Sequence, residues 1–140
     1  MAKSSVTIRR AGPDDGQIVK SLLTSFGYNH LDTLNFSELT PDWLIAEVDS
    51  TPAGCVQVVL SRPLGYIHFM ATSKELPHRV RAQAWKALTA QATVTLKAFG
   101  AEVGVFFVDF HRTKYKKVLK RRGYKIIGSG NMLGGWLNGR

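Results

Sequence analysis

Between Arg79 and Phe99 the chain runs for 21 residues without a glycine or a proline. Alanine is frequent in this stretch, and Gly100 follows as a natural helix stop. Before it lies Tyr66–Ala71 (YIHFMA) and after it Val103–Phe110 (VGVFFVDF), both rich in strand-forming residues. The crossover favours parallel pairing of the two strands, and the nearly unbroken apolar run of the second predicts a strand covered on both faces. Val80, Ala84, Ala87, Leu88, Gln91, Val94, Thr95 and Ala98 fall on one helical face.

The remaining elements follow from local signals. Val6–Arg10 alternates as a strand, and Gly12-Pro13-Asp14-Asp15 signals a helix start, with a helix over roughly 13–25. Leu31, Leu34 and Phe36 fit a short second helix before Pro41. Asp42–Val48 and Cys55–Leu60 read as an antiparallel pair around a turn at Asp49–Gly54. Another turn at Arg62–Gly65 leads to Tyr66–Ala71, so the first part of the sheet is a meander. His111–Arg122 is a second helical candidate, and Tyr124–Ile127 with Met132–Leu137 forms a closing hairpin. The result is one α+β domain over 1–140 with a mixed, mostly antiparallel sheet.

Charge is distributed unevenly. Of 19 Lys+Arg and 10 Asp+Glu, residues 1–110 hold ten of each sign. Residues 111–140 hold nine bases and no acid, so they carry the whole net charge of +9. This excludes a uniformly basic, histone-like protein. A single cysteine, Cys55, excludes an intrachain disulfide and a cysteine-rich metal site, and it reads as a small core residue. No metal is expected. The start, MAKSSVTIRR, has no apolar run, and no stretch approaches about 18 apolar residues, so the expectation is a cytoplasmic protein without a membrane span.

This order of elements resembles the GNAT family of N-acetyltransferases. IRRAGPDD with its apolar helix is similar to the family's opening strand and helix, and WLIAEVDSTPAGCVQVVL to its second and third strands. KRRGYKIIG is similar to its closing segment, with Gly123-Tyr124 in the Gly-Phe place. The family's cofactor motif, Arg/Gln-x-x-Gly-x-Gly/Ala, falls on Arg79, Val80, Arg81, Ala82, Gln83 and Ala84. Ala82 replaces the glycine, and Pro77 stands two residues before Arg79 where the family spaces it three before. The resemblance implies a GNAT-like sheet whose fourth and fifth strands are parallel and splayed, with helices on both faces. It implies transfer of an acetyl group from acetyl-coenzyme A to a small-molecule or protein amine. Helix-start amides at Arg79–Ala84 would cradle the pyrophosphate, with Arg79 and Arg81 adding charge. The backbone of Met70, Ala71 and Thr72 would pair with the pantetheine arm.

Acyl transfer to an amine needs a base, an amide for the developing oxyanion and an acid for the leaving thiolate. His68 suits the base, and a satisfied structural histidine is the competing reading. Tyr66, His68 and Met70 are expected on one face of their strand, with Ile67, Phe69 and Ala71 on the other. The family's acidic tyrosine falls on Leu119, which donates no proton. Tyr115, one turn earlier on the same face, can substitute, or its ring packs on the core. Asp109 and His111 bracket the end of the fifth strand, either near the cleft or as a cap for the next helix, and Glu47 reads as a solvated charge.

The stretch from Arg112 to Arg122 holds seven cations in total. It is a solvated face, a docking surface for an acidic partner or nucleic acid, or a set of contacts to the coenzyme's phosphates. The alternative to an enzyme is a catalytically inactive GNAT-like module, a binding or structural accessory protein of the kind a phage encodes, acting through this basic helix. Ala82 and Leu119 favour it. A small basic RNA-binding α+β domain is a third reading, against which the long crossover helix stands.

Overall fold

Short turns join the three successive strands between Trp43 and Thr72 and leave only antiparallel pairing within their reach. The structure is a computed structural model that describes residues 5–28, 31, 36–37, 42–107 and 113–125. The chain divides into two compact units, Met1–Phe107 and Val108–Arg140. In the first, β1 (Val6–Arg10) leads through a 3-10 turn (Pro13–Asp15) into α1 (Gly16–Phe26). Then come β2 (Trp43–Val48), β3 (Thr51–Ser61), β4 (Leu64–Thr72), α2 (His78–Ala98) and β5 (Val103–Phe106). The second unit contains α3 (Thr113–Arg121).

The five strands form one sheet in the order β1-β2-β3-β4-β5. The first three pairings are antiparallel, while β4 and β5 are parallel, as the crossover helix requires. The expected short helix around Leu34, the residues after Phe107 in the fifth-strand reading, and the closing hairpin lie mostly or wholly outside the described residues. The turn expected over Asp49–Gly54 is shorter than its composition suggests. Only Asp49 and Ser50 form it, both with positive φ (49° and 66°), and β3 begins at Thr51. Two left-handed residues match the twist of a tight hairpin, which lets the strand extend through Pro52 and Gly54.

α2 covers one face of the sheet and α1 the other. Leu88 of α2 lies over Gly54, where an added Cβ would stand 2.7 Å from the Ala71 carbonyl oxygen and 3.0 Å from Leu88 Cδ1. A glycine at this point therefore sets how closely the long helix approaches β3. The buried face of α2 is Ala84, Trp85, Leu88, Thr89, Ala92 and Leu96. This corrects the face read from the sequence: Gln91 and Ala98 are exposed and Val94 is 58% exposed. Alanine-rich sequence carries little periodic signal, and burial of the bulky Trp85 and Leu96 turns the helix.

Glu47 is not the solvated charge that its sequence context suggests. It accepts a hydrogen bond from Arg9 Nε at 2.7 Å. The Arg9 Nη atoms donate to both Asp15 carboxylate oxygens at 2.7 and 2.9 Å, and Asp15 Oδ2 also accepts from the Gly12 amide at 2.7 Å. One guanidinium thus joins β1, β2 and the entry to α1. Its hydrogen bonds, helped by the Gly12 amide, hold the Asp15 carboxyl at about 2, below the ordinary 3.8. Because the folded value is the lower one, the contribution to stability is complete above the ordinary value and is lost as pH falls through the folded one. The urea midpoint is therefore expected to drop between pH 3.8 and about 2, and Arg9→Met should flatten that drop. Equal acid sensitivity of the two proteins would contradict this account.

Candidate active site

The geometry of the candidate site begins with a counting mismatch between β3 and β4. Cys55 pairs with Ala71, yet Gln57 pairs with His68. Both Phe69 and Met70 therefore stand opposite Val56, a one-residue bulge, and Phe69 takes a positive φ of 51°. Bulges re-aim side chains, because the alternation of faces skips a beat. Ile67, Met70 and Thr72 lie on the α2 face, whereas Tyr66, His68, Phe69 and Ala71 lie on the α1 face. This corrects the alternation read from the sequence, in which Met70 accompanies His68 and Phe69 accompanies Ile67. Regular alternation cannot hold across an inserted residue.

His68 consequently sits among rings. Its imidazole is 4.8 Å from the Phe107 ring, 5.6 Å from Tyr66 and 6.2 Å from Phe69, centroid to centroid. Tyr66 stacks on Phe107 at 6.1 Å, and Phe69 contacts Trp43 and Tyr28. The cross-strand row Trp43, Gln57, His68 places the indole on the same face. His68 Nε2 is buried and has no hydrogen-bond partner. Burial pushes the His68 pKa down from its ordinary value, since the charged form loses water without gaining an anion. A neutral imidazole whose Nε2 has no hydrogen-bond partner is chemically a base. The competing reading of a satisfied structural histidine finds no partner at Nε2.

Tyr28 reaches this cluster through the end of α1. Gly27 has φ of 120°, and the Tyr28 amide donates to the Leu23 carbonyl, closing a left-handed helix cap. The cap swings Tyr28 over the bulge, where its hydroxyl donates to the Met70 carbonyl at 3.4 Å. The sequence singles out neither Tyr28 nor Phe107 nor Trp43. The glycine after an apolar helix was the available signal for Tyr28, while Phe107 could be placed only by pairing with β4.

Among the described residues, the β4–β5 pairing ends at Ile67 and Phe106, with one further hydrogen bond from the Phe107 amide to the Ile67 carbonyl. β4 continues for five residues, His68–Thr72, beyond that last pair. It leads through Ser73–Pro77 to the start of α2 at His78. The first intrahelical bond there is Arg81 N–H to the Pro77 carbonyl at 3.0 Å. The amides of His78, Arg79 and Val80 therefore have no carbonyl within the helix, and no side chain caps them from Pro77. The first turn holds no acid. α1 is built the opposite way, with Asp14 and Asp15 in the turn that leads into it.

Arg79 is exposed, and Val80, Arg81, Ala82 and Gln83 are half-buried. Arg81 Nε donates to the buried Thr72 hydroxyl at 3.4 Å, tying the helix start to the end of β4. Gln83 Oε1 is buried without a partner, and Ala84 is fully buried. The structure thus brings together Met70–Thr72 and Arg79–Ala84 at one end of β4, with His68 just behind. Tyr115 belongs to the second unit, half-buried on α3 on the side of buried Leu119. On the same helix Lys114, Lys117, Lys120 and Arg121 are exposed. Asp109, His111 and Arg112 lie outside the described residues. Among the described residues, no group of three or more His, Cys, Asp or Glu can hold a metal ion, and no helix is long and apolar enough to cross a membrane.

No protein-family model and no curated protein matches the sequence. Solved structures do. The aminoglycoside N-acetyltransferase AAC(6')-Iy in complex with coenzyme A superposes with a TM-score of 0.74 at 14% identity, over 96% of this chain and 97% of that one. The PaiA N-acetyltransferase from Thermoplasma acidophilum, also with coenzyme A, gives 0.72 at 15% identity over 90% and 93%. The ribosomal-protein-alanine N-acetyltransferase from Brucella melitensis gives 0.70 at 18% identity over 94% and 100%. The chain has the mixed α+β fold of these GNAT acetyltransferases.

Proposed function

We propose that this chain is an N-acyltransferase that moves an acetyl group from acetyl-coenzyme A to an amine. One observation carries the reading: α2 opens with Arg79 and Arg81, no acid and no cap, immediately after the end of β4. Cations at a helix N-terminus oppose its dipole by about 0.3–1 kcal/mol each, and a bound anion relieves that cost. The residues present fit a pyrophosphate. The amides of His78, Arg79 and Val80 donate to it, and the exposed Arg79 guanidinium adds a charge-assisted contact. Ala82 in the glycine place is small and half-buried, so it does not fill the approach. The backbone of Met70–Thr72 supplies a strand edge for the pantetheine amides.

Bound acetyl-coenzyme A supplies an acetyl group activated as a thioester. His68 Nε2 accepts the proton that the acceptor amine loses as its nitrogen bonds to the acetyl carbon. The imidazole is held neutral by its rings, which keeps it competent as a base at and below neutral pH. The leaving thiolate departs as the anion and takes its proton from bulk solvent. Phe69 and Tyr28 fix the bulge beside His68, and the apolar surround excludes water from the thioester.

Two measurements test this. Titration calorimetry should detect coenzyme A binding, and Arg79→Glu should weaken it by about tenfold or more, since it replaces a favourable contact with a like charge. Undiminished binding in the variant would place the cofactor elsewhere. In the pH–rate profile the acidic limb should lie below the ordinary histidine value of 6.5, because a base is lost when protonated and burial lowers that point. His68→Gln should cut kcat by about a hundredfold and abolish the limb, while a limb that persists in the variant would assign the base to another group.

A further inference from the structure

Nearly all of the net positive charge of this protein belongs to its second unit. Residues 108–140 hold nine bases against one acid, Asp109, which lies outside the described residues. Residues 1–107 hold ten bases and nine acids, so they have no surplus of negative charge to lend. Of those acids, Asp15 and Glu47 are engaged by Arg9, and Asp42 accepts from Gln57. On α3, Lys114, Lys117, Lys120 and Arg121 are exposed, and none of the four forms an ion pair among the described residues. Leu119 is buried, and Tyr115 and Val118 are half-buried. Among the described side chains of α3, every exposed one is therefore a lysine or an arginine.

Spacings of three and four residues put Lys114, Lys117 and Arg121 in one row, with Lys120 beside it. Like charges at these spacings disfavour a helix. The end of α3 is nonetheless firmly closed: Gly123 has φ of 92°, its amide donates to the Lys120 carbonyl, and the Tyr124 amide donates to the Leu119 carbonyl. A row of cations that repel one another gains from a partner with a dense row of anions. From Lys114 to Arg121 the helix rises about 10 Å, and a nucleic-acid duplex carries one phosphate charge per about 1.7 Å of its axis. An extended acidic peptide turns a side chain to one face only once in about 7 Å. A membrane surface takes up a helix by its apolar side, and on α3 that side holds the buried Leu119. Single strands stack on exposed rings. Tyr115 and Tyr124 are half-buried, and Phe110 and Trp136 lie outside the described residues.

We propose that the exposed face of α3 binds the phosphate backbone of a nucleic-acid duplex without reading its sequence. Lys114, Lys117, Lys120 and Arg121 donate charge-assisted hydrogen bonds to phosphate oxygens. The described part of this face has no exposed amide or aromatic side chain with which to read base edges. The inference goes beyond the acyltransferase reading and does not depend on it, because α3 stands on the second unit and the proposed cofactor residues on the first.

The test is fluorescence anisotropy of labelled DNA and RNA duplexes of about 20 base pairs, titrated with the full chain between about 50 and 200 mM KCl. Binding to a duplex is expected, with a slope of log K against log salt of about −4 for four phosphate contacts. Affinity should be the same for two unrelated sequences, and the tighter of the DNA and RNA duplexes identifies the source of the backbone. Lys117→Gln with Arg121→Gln should reduce the slope by about 2. Glutamine is a good helix former, so α3 is retained in that variant. Lys86→Gln with Lys97→Gln removes two exposed cations from α2 of the first unit and should leave the slope unchanged. No binding to either duplex at the lowest salt overturns the inference. So does a slope unmoved by the α3 pair, or one lowered equally by the α2 pair. Tighter binding to a single strand, or equal competition by polyglutamate at matched charge, assigns the face to another partner and overturns it too. Displacement of the duplex by coenzyme A would place these cations on the cofactor's phosphates and likewise overturn it.

Discussion

Opposite Val56 stand two residues of β4 where a regular strand has one. That extra residue governs what the sheet presents on each side. It leaves Met70 and Thr72 under α2, where Thr72 receives Arg81, and it gives the other face His68 and Phe69 in succession. A regular strand would bury Phe69 under α2 and turn Met70 towards His68. The ring cluster, the desolvated imidazole and the contact with Tyr28 would all be lost. The bulge carries a left-handed Phe69, an uncommon state for a bulky residue. Its rings and its neighbours Trp43 and Tyr28 hold it there, which is how strained backbone persists next to reactive groups.

Electrostatics divides the first unit into two kinds of helix start. The approach to α1 uses Asp14 and Asp15 in the ordinary sense of the dipole, and Asp15 is locked to Arg9 in a network that joins two strands to that helix. The start of α2 inverts the pattern with Arg79 and Arg81. The first arrangement is complete within the fold. The second leaves its first amides with neither an acid nor a side-chain cap. The basic α3 is a separate matter, since its exposed lysines stand on the second unit, while residues 1–110 hold ten charges of each sign.

Much of this was legible in the residues. The glycine-free run after Pro77 marks the crossover helix, and with the flanking strands it implies a parallel pair and a mixed sheet. The RVRAQA string marks the helix start that the fold places at the end of β4. His68 was readable as a base candidate, but not its surroundings. Misreadings arose where local composition is ambiguous. Pro52 and Gly54 look like turn residues but continue a strand, because the turn at Asp49-Ser50 is already complete. Gln91 and Val94 were assigned inward on α2, because alanines mark a helix without marking its buried side.

Among the described residues, the sequence by itself determined the kinds of element, their order and the parallel crossover, because periodicity, helix stops and tight turns are properties of neighbouring residues. The tertiary structure decided which side chains meet. The register between β3 and β4, the depth at which α2 rests on Gly54, and the rings gathered around His68 depend on contacts between residues distant in the chain. No local pattern announces an inserted residue when either face accepts an aromatic side chain. Only the pairing partner, by leaving Val56 alone opposite both Phe69 and Met70, reveals it.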